Sequence, residues 1–252
     1  MVSAIEQVQI IPNVLSTPDL GPPTLHSLGT MPTPNRLKAF IALAMLCVGF
    51  ALAQSDLTKM EQLAESRYGQ QAAVTVEQWR SLITNSNDLT EVEKIEQVNT
   101  FFNSRVRFVD DSIAWQQNDY WATPLETMGR LQGDCEDFSI AKYITLQLMG
   151  IPINKMRITY VRARLGSPTS KITQAHMVLS YYPQARAVPL ILDNLISEIR
   201  SASRRPDLTP VYGFNSEGLW VGGATNPAIG NPSSRLSRWR DMLSRMQKEG
   251  LE

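Results

Sequence analysis

The segment Gly133-Asp134-Cys135-Glu136-Asp137-Phe138 opens an apolar stretch that runs to about Met149. At helical spacing Cys135, Phe138 and Ala141 share one face, which predicts a helix with the cysteine in its first turn, on the side that packs into the core. The unpaired N–H groups and the macrodipole at a helix N-terminus lower the pKa of a thiol. The stretch therefore predicts a buried helix that presents a cysteine nucleophile at its start.

The overall composition is that of an ordinary globular protein. The chain of 252 residues is 43% hydrophobic and has 24 basic and 24 acidic residues. This length allows one large or two small domains. Because the net charge is zero and no run of like charges occurs, the sequence lacks the basic field that a nucleic-acid-binding protein presents. We expect no nucleic-acid partner.

An apolar run of 15 residues, Ala39–Ala53, follows the basic residues Arg36 and Lys38 and ends in Ala51-Leu52-Ala53. A basic flank, an apolar core and a small-x-small end are the features of a Sec-type signal peptide. The run is shorter than the roughly 20 residues that a spanning helix needs, although an uncleaved anchor stays an alternative. We predict cleavage near Ala53/Gln54 and an exported mature chain without a transmembrane segment. Residues 1–53 are then an N-terminal extension and signal peptide, and residues 54–252 form one domain.

Residues 1–30 are unusual for such a leader, because they are rich in proline and contain Glu6 and Asp19. Translation from Met31 would leave an ordinary signal peptide. We therefore interpret Met31 as an alternative start, which a peptide from residues 1–30 in the purified protein would contradict.

Export changes what the cysteine means. After cleavage Cys135 is the only cysteine left and His176 is the only histidine. Exported chains usually pair their cysteines in disulfides, so a lone one is either buried and inert or a working thiol. On the count alone both interpretations stay open, as does a purely structural role for His176.

Helical periodicity dominates the first half of the mature chain, and the alternation typical of strands dominates the second. Thr90 with Glu93, and Thr75 with Gln78, have the spacing of a capping box. The predicted helices are Leu57–Tyr68, Thr75–Thr84, one that follows Thr90, Leu125–Leu131, the Cys135 helix and Ser233–Lys248. The predicted strands are Met156–Arg162, His176–Tyr182, Ala187–Asp193, Leu208–Phe214 and Leu219–Val221, with a loop over Ala163–Gln174. This order predicts an α+β fold, with N-terminal helices and the Cys135 helix packed on an antiparallel sheet.

Two of these strands place a histidine beside an aspartate. A hairpin turn centred between Gln184 and Ala185 sets His176 directly opposite Asp193, with Cβ atoms ~5 Å apart. An aspartate on one ring nitrogen fixes the tautomer and orientation of a histidine, which can then serve a cysteine as base and acid. The sequence thus predicts the catalytic set Cys135, His176 and Asp193. The alternative for Asp193 is ordinary turn chemistry at a strand end.

Three acidic residues, Asp134, Glu136 and Asp137, surround the predicted nucleophile. Their charges should raise the pKa of the thiol, which opposes the effect of the helix start. One interpretation is helix capping, with Asp134 as N-cap and Asp137 three residues on. The other is a hard cation, because closely spaced carboxylates suit Ca²⁺ and the ion would offset the charge.

Several motifs in order resemble one family. They are Asp119–Pro124 (DYWATP), Gly133–Phe138 (GDCEDF) with Ala141-Lys142-Tyr143, His176–Leu179 (HMVL) and Leu192-Asp193-Asn194. This set resembles the bacterial transglutaminase-like cysteine proteinases, and within them the LapG-type adhesin proteases. The resemblance covers most of residues 56–225, and linked motifs are far more specific than a bare Cys, His and Asp.

The resemblance implies a papain/transglutaminase-like fold, with Cys135 as nucleophile, His176 as base and acid, and Asp193 as the orienting group. It implies dependence on calcium, with Asp134 and Glu136 as ligands and Asp137 as a further candidate. It also implies a periplasmic endopeptidase that cuts the N-terminal region of a large surface adhesin at a di-alanine-type site and frees cells from a biofilm. The implied regulator is the periplasmic domain of an inner-membrane cyclic-di-GMP receptor, which sequesters the protease.

The oxyanion of the reaction needs two donors. We expect the backbone N–H of Cys135 to supply one and the loop at 115–121 to supply the other, with Trp121 and Gln116 as candidates. Two functional alternatives stay open. A transglutaminase or amidase would use the same acyl-enzyme step, and an inactive binding module would keep the fold without the chemistry.

Overall fold

Helices come first and strands follow in the part of the chain that the computed structural model describes, residues 57–224, 226–228 and 230–251. The helices are α1 (57–68), α2 (Gln70–Thr84), α3 (Glu91–Arg105), α4 (Asp111–Ala114), α5 (Pro124–Arg130), α6 (Cys135–Leu148) and α7 (Ser237–Lys248). The strands are β1 (Arg107–Phe108), β2 (Gln132–Gly133), β3 (Met156–Arg164), β4 (Thr173–Tyr181), β5 (Leu190–Leu192), β6 (Arg200–Ser201), β7 (Leu208–Phe214) and β8 (Leu219–Val221). The predicted signal peptide and its cleavage site lie outside the described residues.

The main sheet has six strands in the order β6-β5-β4-β3-β7-β8, and all its neighbours pair antiparallel. Helix α6 packs on β3 and β4, because its apolar side chains and one face of these strands belong to the same buried core. Ile140 and Leu146 of α6 and Ile158 and Leu179 of the strands are fully buried there. The predicted α+β fold, with N-terminal helices and the Cys135 helix packed on an antiparallel sheet, is confirmed.

Local capping chemistry sets where the N-terminal helices begin. The predicted box at Thr90 is confirmed, since its side chain accepts from the backbone N–H of Glu93 and the Glu93 carboxylate accepts from the Thr90 N–H at 2.8 Å. The cap predicted at Thr75 is wrong. Helix α2 begins at Gln70 after Gly69, whose φ of 90° ends α1, and Thr75 donates within the helix to the carbonyl of Gln71 at 2.9 Å.

Other predicted boundaries change as well, and the strand predicted over Ala187–Asp193 spans only Leu190–Leu192. The segment predicted as a loop, Ala163–Gln174, contains the ends of β3 and β4, because nine residue pairs from Met156↔Tyr181 to Arg164↔Thr173 continue the ladder. Backbone pairing extends each strand beyond the point where its side chains stop alternating. The C-terminal helix starts at Ser237, after a 3₁₀ turn over Pro232–Ser234.

None of the helices within the described ranges is both long and apolar enough to cross a membrane.

Candidate active site

The start of α6 is held in place from both sides. Strand β2, which ends at Gly133, pairs with β1, and the backbone N–H of Val109 donates to the carbonyl of Gly133 at 3.0 Å. A Cβ atom added at Gly133 would lie 2.6 Å from Oδ2 of Asp137, so only glycine fits this approach. Asp134 is the N-cap, as predicted, and its Oδ1 accepts from the N–H of Glu136 at 3.3 Å.

Asp137 has a different role from the predicted capping partner. It is fully buried, its Oδ1 accepts from the N–H of Ala122 at 2.7 Å, and its Oδ2 accepts from the indole of Trp115 at 3.2 Å. The capping-box interpretation is therefore wrong, because both carboxylate oxygens bind the 115–122 loop and Asp137 completes no box with Asp134. This link fixes that loop against the first turn of α6.

The thiol of Cys135 is partly exposed in a cleft and donates to Oε2 of Glu136 at 2.9 Å. Burial raises the pKa of the thiol well above its usual range, and the charge of Glu136 raises it further, while a hydrogen bond with the backbone of Met177 lowers it. Burial and the neighbouring acids thus both disfavour the thiolate, and the acids act in the direction that their positions in the sequence suggested. A nucleophilic thiolate requires this negative charge to be offset.

The cleft has a volume of about 390 Å³ and contains both Cys135 and His176. Trp121 also lines it, and its indole hydrogen-bonds to Asp119. Of the two predicted oxyanion donors, Trp121 therefore reaches the cleft. Gln116 is exposed, has a φ of 57° and is not among the lining residues, whereas Asn118 of the same loop is.

His176 and Asp193 meet through a hydrogen bond of 2.8 Å between Nε2 and Oδ1. The predicted strand register is wrong by two residues, because Leu179 pairs with Leu192, which sets Val178 rather than His176 level with Asp193. A shift of two keeps both side chains on the same face of the sheet. The residues become diagonal neighbours, which long side chains still bridge, and so the pair forms in spite of the wrong register.

The carboxylate of Asp193 is buried and has two further partners. Its Oδ1 accepts from the N–H of Leu195 at 3.0 Å, and its Oδ2 lies 2.8 Å from Nη2 of Arg205. Burial would raise the pKa of Asp193, but the hydrogen bond and charge of His176, with Leu195 and Arg205, lower it to about 2. The group is therefore a carboxylate at neutral pH, able to orient the imidazole.

Residues of α3 and α6 hold the backbone of Asp193. Its carbonyl accepts from Nδ2 of Asn103 at 2.7 Å and from Nζ of Lys142 at 3.3 Å. Lys142 also donates to Oδ1 of Asn99 at 2.8 Å, and burial lowers its pKa to about 7 against the opposing charge of Asp193. No role was predicted for Arg205, Asn103 or Asn99, although the family resemblance includes the segment Val98–Asn103, because their importance depends on contacts between distant segments.

Five carboxylates gather beside Cys135. Two were not predicted, Asp111 at the start of α4 and Asp119 in the loop that follows it. Oxygens of Asp111, Asp119 and Glu136 lie within 4.8 Å of one another, as do those of Asp111, Asp134 and Asp137. The aspartates in the aromatic, polar stretch before α5 were the available signal, but nothing in their spacing relates them to Cys135.

The chemistry of this cluster fits a hard cation. Burial raises the pKa of Asp111 to about 6, and burial with the charges of Glu136 and Asp137 raises that of Asp134 to about 10. Oδ1 of Asp111 is buried without a hydrogen-bond partner. Crowded carboxylates with unused oxygen atoms are the ligands that Ca²⁺ prefers. Asp111, Asp119, Asp134 and Glu136 are therefore the residues that could hold it, and Asp137 is least free because both its oxygens accept hydrogen bonds.

Replacement of Asp193 by asparagine is expected to lower kcat by about 100-fold, at the lower end of what general acid–base catalysis contributes. The amide keeps the shape of the side chain but loses the charge that stabilises the protonated imidazole. Steady-state kinetics on a cleaved peptide measure this change. The matched control is Asp207→Asn, which removes the other carboxylate on Arg205 (Nη2 to Oδ2, 2.8 Å) but not the one on His176. An equal loss in both variants would contradict an orienting role for Asp193.

Comparison with known proteins gives a family match and structural matches. The model of the family described as bacterial transglutaminase-like cysteine proteinase BTLCP matches residues 66–207. Three solved structures of Legionella pneumophila LapG are similar. The EGTA-treated form is 41% identical, covers 75% of this chain and 97% of its own, and has a TM-score of 0.65. A further LapG structure is 42% identical, covers 75% of this chain and 97% of its own, and has a TM-score of 0.63. The calcium-bound form is 40% identical, with coverages of 75% and 98% and a TM-score of 0.63. No curated protein matches the chain.

Proposed function

The chain belongs to the bacterial transglutaminase-like cysteine proteinases and is a cysteine protease, and on this premise we propose that it is a calcium-dependent periplasmic endopeptidase. Its proposed substrate is the N-terminal region of a large surface adhesin, whose cleavage releases the adhesin and promotes dispersal of a biofilm. The observation that carries the proposal is the His176–Asp193 hydrogen bond of 2.8 Å beside the same cleft that contains Cys135.

The arrangement supports an acyl-enzyme mechanism. Because Nε2 of His176 is bound to Asp193, its Nδ1 is the nitrogen left to accept the proton of Cys135. Sγ attacks the carbonyl carbon of the scissile peptide, and the imidazolium then gives its proton to the leaving amine. A water, deprotonated by His176, hydrolyses the thioester and restores the thiol. Asp193 keeps the imidazole oriented and stabilises its charged form at each step.

Calcium is supported by the donor set and by two structures of one relative. LapG from Legionella pneumophila has been solved both calcium-bound and after treatment with EGTA. In this chain Asp111, Asp119, Asp134 and Glu136 would hold the ion, which would supply positive charge beside the thiol and so favour the thiolate. Glu136 would then be a ligand of the cation instead of an acceptor for the thiol.

The location and the regulator belong to the same proposal. The basic and apolar segment over residues 36–53 supports export to the periplasm. The proposed regulator is the periplasmic domain of an inner-membrane cyclic-di-GMP receptor, which binds the protease and keeps it from its substrate. The large adhesin and this receptor domain are the two expected partners.

The test uses the mature chain from Gln54, a purified N-terminal region of a candidate adhesin, calcium and an amine probe. We expect one new pair of peptide termini by mass spectrometry and no incorporation of the amine. Incorporation without cleavage would instead establish the transglutaminase alternative. If a general peptide substrate is cleaved but the adhesin region is not, the adhesin is the wrong substrate for this protease. Release of adhesin in cells by a Cys135→Ala variant would establish the binding-module alternative.

A further inference from the structure

A second cavity, of about 270 Å³, lies on the face of the sheet that points away from α6. Alternate residues of β3 and β4 line it, namely Arg157, Thr159, Val161, Val178 and Ser180. Their neighbours on the other face, such as Ile158 and Leu179, belong to the core shared with α6. The cavity is therefore a separate concave site, close to the size of small-ligand pockets. The proposed peptidase function does not use it.

The anchor of this cavity is Arg157, a guanidinium that is only 8% exposed. Its Cζ lies over the rings of Trp220 and Tyr182, 4.1 Å and 4.5 Å from their centroids. Nη1 donates to the carbonyl of Ala224 at 3.0 Å, the guanidinium also hydrogen-bonds with the hydroxyl of Tyr182, and Nε has no hydrogen-bond partner. Between residues 57 and 251, as far as they are described, no carboxylate forms an ion pair with Arg157. A buried charge of this kind is costly unless an anion pairs with it.

The rest of the lining matches an anion with an apolar body. Arg186 and Arg205 also line the cavity, and no acidic residue is among the described residues that do. Asp193 and Asp207 already pair with Arg205, although its Nη1 has no partner, and Arg186 is exposed to solvent. Arg157 is therefore the buried guanidinium of the lining that still needs a counter-ion. The walls are apolar, built by the buried cluster Val161, Val178 and Ile191 with Ala202 and Leu208 packed against it.

We propose that this cavity binds a small amphipathic monocarboxylate, with its carboxylate paired to Arg157 and its hydrocarbon part against the Val161, Val178 and Ile191 cluster. The charge of Arg157 selects for an anion, because charge-assisted hydrogen bonds to a guanidinium are roughly twice as strong as neutral ones. The apolar walls select against a bare inorganic ion, which would leave them unfilled. Arg205 lines this cavity and also pairs with Asp193. A single side chain therefore separates the ligand from the carboxylate that binds His176.

The test compares octanoate with octanamide, which has the same chain and shape without the charge, by isothermal titration calorimetry on the mature chain. We expect octanoate to bind at least about tenfold more tightly than octanamide. In Arg157→Gln this preference should fall to nearly one. The matched control is Arg162→Gln, since Arg162 is exposed on the same strand and the preference should stay unchanged there. Equal affinity of the wild type for both compounds would overturn the proposal.

Two further measurements separate this cavity from the cleft and from misfolding. Ala202→Leu fills the cavity while Arg157 stays, so it should also abolish octanoate binding, and thermal unfolding checks that both variants fold. Protein alkylated at Cys135 by iodoacetamide should bind octanoate as the unmodified protein does. Binding that survives Ala202→Leu, or that disappears on alkylation, would place octanoate elsewhere and refute the assignment. Neither result would affect the proposed protease function, which the adhesin assay tests by itself.

Discussion

Replacement of Cys135 by alanine is expected to lower kcat/KM by at least about 10⁴-fold while the fold is retained. The cysteine supplies the attacking atom, and none of its neighbours in the cleft can take over that role. Its side chain is partly exposed and, within the described part of the chain, hydrogen-bonds only to Glu136 and to the backbone of Met177, so its loss should disturb the core little. Initial rates of peptide cleavage, with thermal unfolding as the check on folding, measure the effect.

The matched control is Leu148→Ala, at the far end of the same helix and 37% exposed. This variant should keep its activity, so that a loss confined to Cys135→Ala identifies the thiol rather than the helix. One equivalent of iodoacetamide should inactivate both the wild type and the Leu148→Ala control, because both keep Cys135. A Cys135→Ala protein that keeps more than about a hundredth of the wild-type rate would rule out the thiol as nucleophile.

The nucleophile helix could be predicted because its signals are local. Helical spacing of apolar residues, an acidic N-cap and a glycine before it all lie within one short stretch. Helix α6 begins at Cys135, as they indicate, with Asp134 as its N-cap. The box at Thr90 was predictable for the same reason. The cap predicted at Thr75 is wrong because a capping pattern is only a preference. The helix already runs from Gln70, so backbone carbonyls of the preceding turn accept from the N–H groups that a cap would have satisfied.

The pairing of His176 with Asp193 was predicted through a register that is wrong. Strand β5 has only three residues, and the connection from Tyr182 to Pro189 is irregular, so spacing alone could not locate the turn. The predicted pair still forms because side chains of a strand return to the same face every two residues, and the predicted register was wrong by two residues. The supporting contacts of Asp193 could not be predicted, since Asn103, Lys142 and Arg205 come from segments whose docking no local pattern encodes.

The carboxylate cluster was predicted only in part, because only some of its members are close to Cys135 in the sequence. The carboxylates next to Cys135 are visible in the sequence, whereas Asp111 and Asp119 join them only because the loop before α5 folds back onto α6. Asp137 makes that fold-back stable by accepting from Ala122 and Trp115. The residue predicted as a possible ligand thus brings two other candidate ligands, Asp111 and Asp119, to the site.

Removal of calcium is expected to lower kcat/KM at least about 100-fold and to lower Tm. Burial and the charges of Glu136 and Asp134 raise the pKa of the Cys135 thiol, so a cation that offsets these charges should be needed for the thiolate. A ligand present at 100 times its Kd stabilises a fold by about 2.7 kcal/mol, which for a domain of this size corresponds to roughly 5–10 °C in Tm. Cleavage rates and thermal unfolding, each with EGTA and with added calcium, measure both effects.

Two adjacent aspartates provide the discriminating control for the metal. Asp111 belongs to the carboxylate cluster and has a buried oxygen without a hydrogen-bond partner. Asp110 lines the cleft of Cys135 but does not belong to the cluster. Asp111→Asn should therefore reduce the calcium-dependent rise in both activity and Tm, and Asp110→Asn should leave both intact. Because the two changes remove the same charge one residue apart, a general electrostatic effect would weaken the variants alike. Equal behaviour of the pair, or activity unaffected by EGTA, would show that the thiol is activated without a cation at this cluster.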